Sequence, residues 1–310
     1  MRIVFMGTPQ FAVITLDAIF HSKHDVVGVV TSTDKPAGRG RKIQQSDVKQ
    51  YADKNNIRLF QPEKLKNKNL IEDLRGLNAD LFIVVAFRML PKIIWQIPKK
   101  GTINLHGSIL PNYRGAAPIN WAIINGEKES GVTTFFINDN IDTGDVLLIE
   151  KTKIKDGQTA GDLHDQLMEI GSKLIIRTIS EIESGTLESK KQIISESQKT
   201  APKLHRKNTR INWLKDDLTI KQFILGLCPY PGAWTLLSKS GRELNFKVFK
   251  VKTSNLKAPK KTILIKENKL YIGTNTNALE LVEIQLEGKK KMHAKEFIKG
   301  NQNINKFIIL

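Results

Sequence analysis

The chain has 310 residues, of which 40% are hydrophobic and 7% aromatic, and its formal net charge is +18. This length is sufficient for two domains of ordinary size, each with its own core. The longest apolar runs, such as residues 81–87, are far shorter than the roughly 20 residues of a membrane-spanning helix, which argues against an integral membrane protein.

The single cysteine, Cys228, excludes an internal disulfide, and the paired Cys/His spacing of structural zinc sites is missing from the sequence. We therefore expect no metal, no membrane partner and a reducing, cytoplasmic setting. Residues 2–6 predict a strand rather than a secretory signal, which agrees with that setting.

The first half of the chain alternates strand and helix patterns. Residues 2–6 and 26–31 predict strands, and Thr8 is expected to cap the helix between them, with Pro9 as its first residue. Strand, helix and strand in this order indicate a parallel βαβ unit. Further strands are expected at 81–86, 102–106 and 132–137, and a long helix at 159–183. Together they predict an open α/β sheet.

The second half has a different pattern. A polar stretch at residues 189–206 is expected to be a linker between a first domain at 1–188 and a second at 207–310. In the second domain, short strand patterns are separated by turn residues, at 234–237, 244–251, 262–265, 270–272 and 279–286, before a short helix at 294–298. Several short strands in so few residues predict a small β-barrel.

Most of the positive charge lies in the second domain. Residues 201–310 carry 22 Lys and Arg against 8 Asp and Glu, and residues 1–200 carry 27 against 23. Such asymmetry favours a polyanionic partner, nucleic acid above all. A Lys-rich, AT-biased composition of the whole proteome is the alternative explanation.

Two loops at strand ends are candidate binding elements. Gly7 follows the first strand without the other glycines of a dinucleotide fingerprint, which argues against a nicotinamide or flavin cofactor. Residues 34–42 form a basic loop interrupted by proline and glycine. It suits contact with phosphates, although a solvated loop has the same composition.

Asn104 and His106 are two residues apart on a predicted strand, so both side chains leave the same face. An amide can hold a developing oxyanion and an imidazole can move a proton, which suits acyl transfer. A buried structural role for His106 is the alternative. His21, His24 and His164 are expected on surface helices or their ends, without a catalytic role.

A carboxylate from another loop is needed to orient such an imidazole. Asp142 is the candidate, Asp145 in the same turn is its competitor, and either can serve only as a turn former. The proline-rich segment 108–118 follows the Asn/His strand, at the end of a strand where open α/β sheets bind ligands.

These motifs resemble the folate-dependent formyltransferase family. The resemblance rests on the run from Asn104 to Pro118, on Asp142-Thr143-Gly144-Asp145 and, in the second domain, on residues 210–213 and 229–234. The opening residues 4–12 and the loop 35–40 resemble the branch of the family that acts on initiator methionyl-tRNA.

The resemblance implies a Rossmann-like N-terminal domain, a C-terminal OB-like β-barrel and formyl transfer from 10-formyltetrahydrofolate to initiator methionyl-tRNA, by a monomer. It implies that the catalytic residues are Asn104, His106 and Asp142. It assigns folate binding to Ser108, Ile109, Leu110, Pro111, Phe87, Met89, Leu90, Asn138 and Asp139. It assigns tRNA binding to Arg39, Arg41, Lys42, Lys203 and Arg206.

The sequence also departs from the family pattern. The segment 86–91 is one residue shorter than the family's usual run, which affects the expected pterin wall, and Asn212 stands where an aspartate is usual. Three other functions are alternatives: a formyltransferase acting on a small amine, a folate hydrolase, and a noncatalytic RNA-binding protein. The intact triad argues against the last of these, and the basic second domain argues against the first.

Overall fold

The computed structural model describes residues 1–37, 42–193, 195, 197–239 and 241–310. The strands of the first half are β1 (Arg2–Gly7), β2 (Asp25–Val30), β3 (Lys35–Ala37), β4 (Lys42–Gln44), β5 (Leu59–Phe60), β6 (Leu81–Val85), β7 (Thr102–His106), β8 (Arg114–Gly115), β9 (Glu129–Phe136) and β10 (Val146–Lys153). The later strands are β11 (Thr200–Ala201), β12 (Ala233–Lys239), β13 (Arg242–Lys252), β14 (Ile263–Lys266), β15 (Lys269–Ile272), β16 (Leu279–Leu286), β17 (Met292–His293) and β18 (Ile308–Ile309).

The helices are α1 (Gln10–Phe20), α2 (Asp47–Lys54), α3 (Lys68–Gly76), α4 (Lys92–Trp95), α5 (Pro118–Ile124), α6 (Ala160–Ser184), α7 (Asp217–Leu227) and α8 (Ala294–Gly300). Two 3₁₀ helices lie at Arg206–Thr209 and Gln302–Lys306. The chain divides into two compact units. Unit 1 contains residues 1–115, 129–152 and 164–200, and unit 2 contains residues 116–128, 153–163 and 201–310.

Unit 1 is built on a seven-stranded sheet with the order β10-β9-β7-β6-β1-β2-β5. Five strands of this sheet run parallel to one another, as expected for a Rossmann-like fold: β7, β6, β1, β2 and β5. β9 is antiparallel to β7, with Phe136 opposite Ile103 and Thr133 opposite His106. The sheet is therefore parallel at its centre and reversed at one side.

Strand β6 is apolar and buried along its whole length, as expected where both faces of the sheet are covered. Val4, Met6, Phe82 and Val84 belong to one buried cluster, which also contains Leu74 of α3. Helix α1 buries Phe11, Leu16 and Ile19.

Helix α6 packs against the face of β7 that carries Leu105. A Cβ atom on Gly171 would lie 2.9 Å from a methyl carbon of Leu105, so the helix approaches the strand at a residue without a side chain. The Thr134 and Thr178 hydroxyl groups, 2.9 Å apart, join β9 to the same helix. Since side chains alternate along a strand, Asn104 and His106 point to the opposite face of β7.

Unit 2 contains an antiparallel sheet with the order β14-β15-β16-β13-β12-β18, and β17 pairs with β16. This nearly closed, barrel-like sheet is consistent with an OB-like domain. Its core is one cluster that includes Trp213, Phe246, Val248, Ile284 and Phe297. Helix α7 joins this core through Ile220, Ile224 and Leu227.

Most predicted elements are present, with shifts of one to three residues at their ends. The predicted cap at Thr8 was wrong: α1 begins at Gln10, and the extended backbone of Pro9 precedes it, without a side-chain cap. The Pro9 carbonyl accepts the N–H bonds of Ala12 and Val13 and so takes the place of that cap. Helices α5 and α7 and the reversal of β9 were not predicted.

The expected surface position of His24 was also wrong. Its side chain is 1% exposed, and Nδ1 lies 3.3 Å from the amino group of Met1. Burial, followed by that amino group, lowers the pKa of His24. The histidine therefore belongs to the packing of unit 1.

Candidate active site

Asn104 and His106 form the strand-borne part of the candidate site. His106 is buried and Asn104 is half-buried, and both lie on the face of β7 away from α6. Within the described part of the chain, the Asn104 carboxamide has no hydrogen-bond partner. A half-buried amide without a protein partner is available to a ligand.

Both ring nitrogens of His106 face polar groups. Nε2 lies 2.9 Å from the backbone carbonyl of Tyr113, and Nδ1 lies 3.8 Å from Oδ2 of Asp142. A carbonyl only accepts hydrogen bonds, so Nε2 carries a hydrogen in this arrangement. Nδ1, beside the carboxylate, is then the nitrogen that can gain or lose a proton. The ring also contacts Phe135 edge-on, with the centroids 6.4 Å apart.

The turn after β9 brings Asp142 to His106. β9 ends with Phe136 opposite Ile103, three residues before His106 along β7. The turn therefore has to run back along β7 toward His106. Asp142 adopts a left-handed backbone with φ of 54°, a conformation that aspartate tolerates better than most residues. Its carboxylate accepts the backbone N–H of Gly115 at 2.9 Å.

Gly144 makes this turn possible. A Cβ atom at this position would lie 1.6 Å from the Phe136 carbonyl oxygen. Any other residue would collide with the end of β9, so the backbone passes there only because the residue is glycine.

Asp145, the competing carboxylate, belongs to the same turn but is used differently. Its backbone carbonyl accepts the N–H of Phe136 at 3.0 Å. Among the described residues, Asp142 is the carboxylate whose oxygen lies within 4.0 Å of a His106 ring nitrogen. The structure thus brings Asp142, rather than Asp145, to the imidazole.

A second set of contacts holds the Asp142 turn through its backbone carbonyls. The Gln192 carboxamide donates to the carbonyls of Asp142 and Gly144 at 3.0 and 2.7 Å. Its oxygen accepts from Nε and Nη2 of Arg114 at 3.1 and 2.6 Å. Burial lowers the pKa of Arg114, and the negative charge of Asp142 opposes this shift. Gln192 lies in the predicted linker, and no sequence motif marked it.

The segment predicted to bind folate is held by a hydrogen bond within it and by two with Thr133 of β9. Ser108 Oγ donates to the Asn112 carbonyl at 2.7 Å, and Thr133 Oγ1 donates to the Ser108 carbonyl at 2.7 Å. The same Thr133 oxygen accepts the Leu110 N–H at 3.1 Å. Ser108 and Leu110 are buried, whereas Ile109 and Pro111 are partly exposed. A ligand here would meet the partly exposed residues and the backbone.

The predicted pterin wall contains two loops with different exposures. Met89 is 67% exposed, Phe87 is half-buried and Leu90 is buried in the core of unit 1. Asn138 accepts from the Thr143 hydroxyl at 2.9 Å and shapes the Asp142 turn. Asp139 is exposed and pairs with Lys92 at 3.2 Å. The wall role of these residues stays a prediction.

The predicted tRNA contacts are described in part. Arg39 and Arg41 lie outside the described residues, and for Lys42 only the backbone is described, in β4 opposite Ala37. Lys203 is exposed. The Arg206 guanidinium lies 4.1 Å from the centroid of the Trp234 ring, and Trp234 Nε1 donates to the Arg206 carbonyl at 3.0 Å.

Comparisons with known proteins show the family to which the chain belongs. A sequence profile described as formyl transferase matches residues 1–179, and its C-terminal counterpart matches residues 203–302. Methionyl-tRNA formyltransferase of Flavobacterium johnsoniae is 48% identical over 304 residues, covering 97% of this chain and 96% of its own length. The chain belongs to the methionyl-tRNA formyltransferase family.

A second relative agrees with this membership, and a solved structure shares the fold. The methionyl-tRNA formyltransferase of Flavobacterium psychrophilum is 46% identical and covers 97% of this chain and 96% of its own. The solved N-formyltransferase of Helicobacter canadensis, in complex with folinic acid and dTDP-3-aminofucose, has a TM-score of 0.62 at 24% identity. It covers 90% of this chain and 98% of its own, and at that identity the likeness shows the fold alone.

Two features are absent from the described residues. None of the helices there combines the length and apolar character needed to cross a membrane. No group of three or more His, Cys, Asp or Glu side chains in that part of the chain is placed to hold a metal ion.

Proposed function

We propose that this enzyme transfers the formyl group of 10-formyltetrahydrofolate to the amino group of methionyl initiator tRNA. The membership in the methionyl-tRNA formyltransferase family supports the acceptor. The observation that carries the chemistry is the placement of the unpartnered Asn104 amide on the same strand face as His106, with Asp142 beside the ring.

The reaction forms a bond between the methionine nitrogen and the formyl carbon and breaks the bond from that carbon to N10 of the folate. The amine loses one proton and N10 gains one. We assign the oxyanion of the tetrahedral intermediate to the Asn104 N–H, a type of donor that supplies about 2.7–4 kcal/mol of barrier reduction in other enzymes.

His106 and Asp142 manage the proton in this proposal. Asp142 lies beside Nδ1 and favours the cationic imidazole by charge, and the Tyr113 carbonyl holds Nε2. With one nitrogen held, the ring keeps one orientation while Nδ1 exchanges its proton. Catalysis by a positioned acid or base of this kind contributes typically about 10²–10⁴-fold.

Folate enters the proposal as co-substrate. The sequence resemblance places it along Ser108, Ile109, Leu110 and Pro111, with Phe87, Met89, Leu90, Asn138 and Asp139 as the pocket wall. The exposed thioether of Met89 is the kind of adaptable apolar group that suits a planar ring. The Helicobacter canadensis protein with this fold was solved with folinic acid, a related folate.

The basic unit 2 supports tRNA as acceptor. Arg206 and Arg210 both lie over the ring of Trp234, at 4.1 and 5.6 Å, and Lys247 is opposite Trp234 in the strand pair β12–β13. Two guanidinium cations over one buried indole form a fixed positive surface, which suits a phosphate backbone. We propose Lys203 and Arg206 as tRNA contacts here, and Arg39, Arg41 and Lys42 near the acceptor end.

The proposal includes the domain limits predicted from sequence: a catalytic domain at 1–188, a linker at 189–206 and a tRNA-binding barrel at 207–310. It also includes a monomer that acts in the cytoplasm. The single cysteine agrees with that compartment.

One assay tests the function against its rivals. The purified chain is incubated with 10-formyltetrahydrofolate and initiator Met-tRNA, an amino sugar nucleotide or buffer, and the formyl group is followed in each. We expect formyl-methionyl-tRNA as the product. Transfer to the small amine, or release of formate in buffer, would replace the proposal by one of the two small-molecule reactions.

A further inference from the structure

Gln192 is the side chain that joins the Asp142 turn to Arg114. Its four hydrogen bonds, two donated and two accepted, lie between 2.6 and 3.1 Å. We propose that Gln192 is a positioning residue for catalysis, which sets the place of Asp142 beside His106. The inference rests on the proposed function, because it acts through Asp142.

The hydrogen bonds leave the Gln192 carboxamide one orientation. Its oxygen faces two N–H groups of the Arg114 guanidinium, and its nitrogen faces the carbonyls of Asp142 and Gly144. Rotating the amide by half a turn would oppose oxygen to carbonyl and nitrogen to guanidinium. All four contacts would then be repulsive, so the amide is locked.

These contacts act where the turn needs support. Asp142 has a left-handed backbone, and Gln192 bonds its carbonyl while the Gly115 N–H bonds its carboxylate. Arg114 and Gly115 are adjacent, so the backbone and the side chain of Asp142 are both anchored to β8. Loss of the Gln192 bonds would free the backbone half of this anchor.

The role is specific to glutamine. Glutamate has the same shape and would still accept from Arg114, but its second oxygen would face the carbonyls of Asp142 and Gly144. This repulsion would move the turn and with it the Asp142 carboxylate. A displacement of about 1 Å at a catalytic group can cost about 100-fold in rate.

The test measures kcat, KM and the melting temperature for Gln192→Glu and Gln192→Met, the latter having similar length and no hydrogen bonds. We expect kcat to fall by about 100-fold in Gln192→Glu, and less in Gln192→Met, with KM for Met-tRNA close to wild type. This fall in kcat at an unchanged KM is the readout of the positioning role. A loss of packing alone would lower the melting temperature and leave the kcat of the folded enzyme near wild type.

Gln285→Glu is the matched control. Gln285 lies in the barrel and donates to the Lys289 carbonyl at 3.0 Å, so the same change of charge leaves the site untouched. Wild-type kcat in both folded Gln192 variants would overturn the positioning role. A wild-type chain that forms no formyl-methionyl-tRNA would overturn the proposed function, and this inference with it.

Discussion

The carboxylate of Asp142 lies 3.8 Å from Nδ1 of His106. The two residues come from different elements, a strand and a turn. The Tyr113 carbonyl holds the His106 ring, and the Gly115 N–H holds the Asp142 carboxylate. Because Nε2 is bonded to the Tyr113 carbonyl, the proton chemistry of the ring is directed to the side of Asp142.

Asp142→Asn is expected to abolish formyl transfer, with kcat lower by about 10³-fold or more, while Met-tRNA affinity stays near wild type. The amide keeps the shape of the carboxylate and removes the charge that orients and stabilises the imidazolium. His106→Ala should have the same effect. The measurement is steady-state kinetics together with tRNA binding.

Asp145→Asn is the control for this prediction, since Asp145 belongs to the same turn. Its contribution is a backbone bond to Phe136, which the substitution preserves. Near-wild-type turnover is expected. If Asp145→Asn is inactive and Asp142→Asn is active, the assignment of the carboxylate has to be reversed.

Asn104→Ala is expected to lower kcat by about 10²–10³-fold with little change in KM, because an oxyanion donor acts mainly in the transition state. The side chain has no partner among the described residues, so its removal should leave the melting temperature unchanged. Single-turnover rates and thermal unfolding measure the two effects. A large rise in KM with normal kcat would instead assign Asn104 to substrate binding.

Gly144→Ala is expected to reduce stability by about 3 kcal/mol or more, or to shift the Asp142 turn and lose activity. The added Cβ would lie 1.6 Å from the Phe136 carbonyl oxygen. Gly76→Ala, where a Cβ meets nothing within 4 Å, is the control and should be neutral or slightly stabilising. Denaturant unfolding and kcat are measured for both, and Gly144→Ala with the stability and kcat of Gly76→Ala would contradict a tight turn at Gly144.

Arg206→Ala is expected to weaken tRNA binding and to reduce the slope of log K against log salt by about 0.7–0.9, the value for one phosphate contact. Arg206→Lys keeps the charge but loses the planar contact with Trp234. It should retain the slope and lose part of the affinity. An unchanged slope in Arg206→Ala would exclude a phosphate contact.

Arg39→Ala is expected to impair discrimination between initiator and elongator Met-tRNA. The reason comes from the sequence, in which the basic loop resembles the acceptor-end loop of the tRNA-directed branch. The measurement is kcat/KM for both tRNAs. An equal loss on both would show that Arg39 makes a nonspecific charge contact.

The parts that the sequence predicted best are those governed by periodicity. The strand at Thr102–His106 and the helix α6 were expected almost at their observed bounds, because alternation and helical spacing reflect burial directly. The placement of Asn104 and His106 on one face follows from the same alternation.

Contacts between residues that are far apart in the sequence could not be predicted from periodicity. The antiparallel direction of β9 leaves no local sequence pattern, because its residues would be buried whether it paired with β7 in a parallel or an antiparallel direction. Gln192 lies in a polar stretch and gains its role from Arg114, which is 78 residues away along the chain. His24 was expected at the surface because its burial depends on a residue distant in the sequence, with Met1 lying 3.3 Å from its ring, and not on a local pattern.

The antiparallel β9 leads into the turn that carries Asp142, and this turn and strand β7 give the two halves of the site different rigidity. Asn104 and His106 belong to a strand paired on both sides, whereas Asp142 is carried by a turn that relies on a few hydrogen bonds. Local opening of that turn needs far less free energy than global unfolding. On warming, we therefore expect the enzyme to lose activity before the sheet unfolds. Amide hydrogen exchange in the turn should also be faster than in β7.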